Sequence, residues 1–129
     1  MTIREELESV LIAYCTAKSI PLSLEGIPFK KPDGTYIEAF MLPSVTINPT
    51  VDMRRKRIRG FFQINCYVKD GIGSKAVEAL ADEVAALYPS YNKLAFPTVS
   101  IEQHPQTGQA IIDGAHRYIP VSVRYRQES

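Results

Sequence analysis

The chain has 129 residues, 45% of them apolar, with two cysteines and a formal net charge of +1. That length fits one domain over residues 1–129, and a chain of this size buries about two-thirds of its unfolded surface, so it needs no metal or disulfide to fold. The near-neutral balance argues against a dedicated nucleic-acid binder, and the longest unbroken apolar run, the six residues Val10 to Cys15, is far short of a membrane span.

Thr2-Ile3-Arg4-Glu5 reads as a capping box, with Thr2 as N-cap. Ile3, Leu7, Val10, Leu11 and Tyr14 follow at helical spacing, which predicts a first helix that fades near Lys18 and stops before Pro21. Arg4, Glu5, Glu6 and Glu8 stand where a secretory signal would be cationic and then apolar, so synthesis in the cytoplasm is expected. Ile20, Leu22 and Leu24 alternate as a short strand, and Gly26, Pro28 and Lys31-Pro32-Asp33-Gly34 mark a loop. Tyr36 to Thr46 is a second strand, with Ile37, Ala39 and Met41 on one face and Tyr36, Phe40 and Leu42 on the other. Pro43 within it implies an edge, a bulge or an early end.

Residues 47–53 read as an extended loop, and a third strand runs from about Arg57 to Lys69. Phe62, Ile64, Cys66 and Val68 form its inward face, and Phe61, Gln63, Asn65 and Tyr67 its outward one. Asp70-Gly71-Ile72-Gly73 breaks the strand and Ser74 caps a second helix. Ala76, Val77, Leu80, Ala81, Val84, Leu87 and Tyr88 give that helix its apolar stripe before Pro89. A strand near Thr98 to Gln103, a turn around Pro105 to Gly108 and a last strand from about Arg117 to Arg126 complete the pattern. In the last strand Ile119, Val121, Val123 and Tyr125 point inward, and Ser122, Arg124 and Arg126 outward. The order α-β-β-β-α-β-β predicts an α+β fold: a mixed, mainly antiparallel β-sheet of about five strands with two helices packed on one face.

The most informative stretch is Arg54, Arg55, Lys56, Arg57 and Arg59, five of the 15 Lys and Arg residues within six positions. Without them ten cations face 14 anions, so a mildly acidic domain carries one concentrated positive field. These five residues are the candidate interaction surface. Three uses fit the run: a solvated strand end that resists edge pairing, contact with an anionic protein surface, or nucleic-acid binding helped by Phe61, Phe62 and Tyr67.

Catalysis finds no support in the sequence. His104 and His116 are isolated and lie away from metal-ligand spacing. Gly71-Ile72-Gly73 lacks the downstream Gly and Lys of a phosphate loop. Cys66 lies mid-strand among apolar neighbours, where a thiol is inert, and it and Cys15 read as free buried thiols in a reducing compartment. Asp82 and Glu83 are adjacent on a helix and point apart. No catalytic residue, metal site or cofactor is expected.

Several phrases, in order, resemble the tail terminator proteins of long-tailed bacteriophages, the group that includes the minor tail protein U of lambda-like phages. They are Ser19-Ile20-Pro21-Leu22 after the first helix, Gly26-Ile27-Pro28-Phe29 before a Pro-Asp-Gly turn, and Tyr36 to Pro43 ending in Leu-Pro. Arg59-Gly60-Phe61-Phe62-Gln63-Ile64, the helix ending at Leu87-Tyr88-Pro89, and Tyr118 to Val123 with Tyr125-Arg126 continue the series. The stretch 48–57, where the basic run sits, departs from the family in length and charge. The resemblance implies a structural virion protein, assembled in the bacterial host cytoplasm. It would form a six-fold ring on the head-proximal end of the tail tube, end tube polymerisation and present the head-joining surface. The implied partners are further copies of itself, the tail tube protein and the head–tail connector protein, with DNA only as cargo and no membrane. The alternatives are another head–tail joining or neck protein, or a small nucleic-acid-binding module.

Overall fold

The first helix, α1, spans Ile3–Lys18, with Glu5 and Glu6 in its first turn and Lys18 in its last, as the helix dipole favours. The computed structural model describes residues 3–42, 45–47, 57–71, 74–88, 99–102 and 104–128; the cap expected at Thr2 lies outside them. Leu7, Leu11 and Cys15, four residues apart, form the buried stripe of α1. Glu6 is buried beside them, 1% exposed, a position apolar periodicity could not select.

α1 ends in a Schellman motif. The Ser19 N–H donates to the Thr16 carbonyl at 3.3 Å and the Ile20 N–H to the Cys15 carbonyl at 2.9 Å, just before Pro21. Ser19 has φ of 57°, the left-handed region where glycine is usual. Ser19→Gly is therefore expected to raise stability by about 1 kcal/mol, because that conformation costs an L-residue about 1–2 kcal/mol and glycine's looser unfolded chain returns part of the gain. Urea unfolding checks this; an unchanged midpoint would show that the serine side chain already offsets the strain.

The sheet is built from β1 (Leu22–Leu24), β2 (Tyr36–Met41), β3 (Val45–Ile47), β4 (Arg57–Lys69), β5 (Ser100–Ile101), β6 (Gln106–Thr107), β7 (Ile111–Asp113) and β8 (His116–Glu128). The second helix, α2 (Ser74–Ala86), lies between β4 and β5 in the chain. The main path is β1-β2-β4-β8-β5, which is the expected five-strand sheet. β1 pairs parallel with β2, and every other pairing is antiparallel. The centre is the β4–β8 ladder, running from Arg57 opposite Glu128 to Lys69 opposite His116.

Two details refine the expectation. The predicted strand Tyr36–Thr46 is two segments, both on β4. Met41 pairs with Phe62 but Val45 with Arg59, so the two pairings differ by one residue in register; Pro43 lies outside the described residues. β6 falls within the turn expected around Pro105 to Gly108, and β7 lies between that turn and the last strand; each is paired to β8. Three short segments thus line the outer side of β8, and such an interrupted edge resists pairing with another sheet.

Pro120 fits this arrangement. Its carbonyl accepts from the Gly108 N–H at 2.9 Å, in the gap between the β6 and β7 pairings. Its nitrogen faces the same gap, where no ladder donor is required.

Both helices cover one face. Ile37, Ala39, Phe62, Ile64, Cys66, Ile119, Val121, Val123, Tyr125 and Ile101 share a single core with Leu7, Leu11 and Cys15 of α1 and Val77, Leu80, Ala81, Val84 and Ala85 of α2. The Tyr88 hydroxyl, just beyond α2, donates to the Leu7 carbonyl at 2.8 Å and ties the helices together. In α2 the expected stripe is shifted slightly: Ala85 is buried and Ala76 exposed.

Candidate functional site

The face of the sheet opposite the helices has two ends of different character. At the end nearer Lys69, Tyr36, Tyr67 and Tyr118 stand opposite one another across β2, β4 and β8. The Tyr36 and Tyr67 rings stack at 4.4 Å and 7°, and Tyr67 meets Tyr118 at 4.7 Å. Lys31, from the loop after β1, lies 5.9 Å and 5.8 Å from the Tyr36 and Tyr67 centroids, with its ammonium 3.9 Å from Asp113. Burial pushes the Tyr36 phenol up to about 12, so this ring stays uncharged at neutral pH.

The other end is basic. Arg59 of β4 is cross-strand to Arg126 of β8, and Phe61 is cross-strand to Arg124. Like charges directly opposite repel, and a carboxylate relieves part of this: Arg59 Nε donates to Glu102 Oε1 at 2.9 Å. The Arg124 guanidinium lies over the Phe61 ring at 5.2 Å, a cation–π contact. Arg59 and Arg124 are exposed and Arg126 is half-buried.

The structure thus divides the five predicted site residues. Arg54, Arg55 and Lys56 lie outside the described residues. Arg57 opens β4, its backbone paired with Ile47 and Glu128. Arg59 is in the strand and ion-paired within the chain, so it is already engaged. Arg124 and Arg126 join this basic end. Alternation in the last strand turned them outward, but only the β4–β8 register brings them beside Arg59.

The nucleic-acid reading loses its aromatic component. Phe62 is fully buried in the core, and Tyr67 is 6% exposed within its stack. Only Phe61 faces the open side near the cations, and it lies beneath Arg124. Among the described residues, bases therefore find no free row of rings beside these cations on which to stack.

Cys15 and Cys66 are free and buried. Desolvation pushes their thiols up to about 11 and about 12, so neither is activated at neutral pH. His104 is exposed, and His116 is buried edge-on against Tyr36 and Tyr67 at 5.2 Å and 6.2 Å. Ser74 opens α2, and its hydroxyl accepts from Arg117 Nη1 at 2.8 Å. Among the described residues no group of three or more His, Cys, Asp or Glu could hold a metal ion, and no helix is long and apolar enough to cross a membrane.

Comparison with known proteins adds what the surface alone cannot. A family model described as phage tail terminator protein matches residues 2–125. A solved structure 27% identical in sequence is similar over 97% of this chain and 92% of its own, with a TM-score of 0.78, and its name carries no functional description. No curated protein matches the chain.

Proposed function

This chain belongs to the phage tail terminator family, a family of structural phage tail proteins, and from that premise we propose that it forms a ring on the head-proximal end of the tail tube. The ring would consist of six copies, end tube polymerisation and present the surface joined by the head connector. The family match over residues 2–125 carries this reading. The chemistry of the surface supports it. The described side chains offer no activated nucleophile, while the molecule carries a basic end suited to an anionic protein face. Subunits in a closed ring meet through two different patches, and a localised positive field on a mildly acidic domain supplies two such patches.

A second reading is another small head–tail joining or neck protein, which shares the size, fold class and ring habit. Electron microscopy separates them. Tail tubes assembled with the protein are expected to stop at uniform length and carry a terminal ring. Tubes of unlimited length with no density at their ends would sink the terminator role. In dilute solution the protein is expected to be a weak oligomer that forms rings when concentrated or bound to a tube, because large exposed apolar side chains are few among the described residues. Light scattering over a concentration series checks this, and a tight dimer at every concentration would count against it.

A further inference from the structure

The cations at the basic end of the open face are not equally engaged. Glu102, just beyond β5, stands beside Arg124 of β8, its N–H donating to the Arg124 carbonyl at 3.0 Å. Its carboxylate nevertheless goes to Arg59 of β4, on the far side of β8, at 2.9 Å, where the Glu102 side chain is only 13% exposed. The nearest acid thus passes Arg124 by. Among the described residues the Arg124 guanidinium meets the Phe61 ring, at 5.2 Å, and no carboxylate.

A guanidinium seated on an aromatic face has given up much of its side-chain freedom in advance, while its N–H donors point to a planar acceptor such as a carboxylate. Phe61 is half-buried, so the sheet holds the seat, and Arg124 itself is exposed. Arg59 and Arg126, cross-strand to each other, flank it, and their field favours an anion at this point. A nucleobase is a poor fit, because the one ring at this end already lies under the guanidinium.

Resting on the ring reading above, we infer that Arg124, seated on Phe61, is the anchor that receives a carboxylate from the neighbouring copy of the chain. Charge complementarity points to a copy as the source. Apart from Arg54, Arg55, Lys56, Arg57 and Arg59, the chain carries 14 anions against ten cations, so what one copy offers to the basic end of the next is on balance acidic. A basic end meeting an acidic face joins two different patches, as a closed ring requires.

Three variants test the contact: Arg124→Ala, Arg124→Lys and Phe61→Leu. Arg124 is exposed, and leucine keeps an apolar side chain at half-buried position 61, so circular dichroism and urea midpoints should stay near those of the wild type. By sedimentation velocity, Arg124→Ala is expected to need about tenfold higher concentration to assemble, the scale of one lost hydrogen bond to a charged group. Arg124→Lys keeps the charge without the planar fork, and Phe61→Leu keeps the fork without its seat; both should remain impaired. Wild-type assembly by either of these two would reduce Arg124 to part of a general field and overturn the anchor. Wild-type assembly by Arg124→Ala would overturn the contact and leave the ring reading standing. Normal self-assembly by Arg124→Ala with loss of tube capping would move the carboxylate to the tube and overturn its assignment to a neighbouring copy. Salt-sensitive DNA binding by the wild type that Arg124→Ala abolishes would overturn the carboxylate in favour of phosphate. A wild type that neither assembles nor caps tubes would overturn the ring reading itself, and this contact with it.

Discussion

Phe62→Ala is expected to remove about 3–5 kcal/mol of stability, from lost transfer energy and the cavity left behind. Phe62 is fully buried in the middle of the sheet, opposite Met41 on one side and Val123 on the other. Its ring meets Tyr88 edge-on, with centroids 6.1 Å apart, and Tyr88 is the residue that ties α2 to α1. Domains of this kind are stable by only about 5–15 kcal/mol, so the loss removes a large part of the whole. Phe61→Ala, one position earlier, should cost only about 1 kcal/mol, because its half-buried ring is on the open face under Arg124. Urea denaturation of both variants reads the difference. Equal losses would show that the face assignment of β4 is wrong.

The second large effect concerns assembly. Replacing Arg54, Arg55 and Lys56 together by Ser should leave the unfolding midpoint of the monomer unchanged and weaken ring formation and tube capping. Exposed ion pairs contribute about 0.2–1 kcal/mol each, so three losses correspond to about threefold to about 150-fold in the concentration needed. Salt should mimic the substitution in the wild type, since screening shortens from about 10 Å at 0.1 M to about 3 Å at 1 M. The competing result is DNA affinity in the wild type that falls steeply with salt and is lost in the variant. Normal capping by the triple variant would return the run to a solvated strand end.

Local pattern carried the fold a long way. Alternation in Phe61–Val68 and Ile119–Tyr125 assigned the faces of both central strands, because a period of two leaves little choice once one face is apolar. The helix stop before Pro21 was legible because proline restricts the residue before it. β6 and β7 escaped notice because each is a segment of two or three exposed residues held only by pairing to β8, which leaves no periodicity. Buried Glu6 was missed for the same class of reason: tertiary packing, not sequence spacing, places it inside. At the site, the basic run was plain in the sequence, but Arg124 and Arg126 became part of its surroundings only through register. The packing of α2 beside β6 joins two elements whose adjacency no local pattern encodes.

The central ladder has a temporal consequence. β8 is the last element in chain order, yet it lies inside the sheet, between β4 and the short strands β5, β6 and β7. Its partner β4 is made long before it, and Arg57 must wait for Glu128. During synthesis, α1, β2 and β4 emerge with the β8-side edge of β4 still unpaired, and closure over so long a separation is slow. A nascent chain therefore cannot present a finished outer surface before β8 has emerged. On the terminator reading proposed above, a chain that has not yet made β8 lacks the sheet needed to halt growth at a tube end.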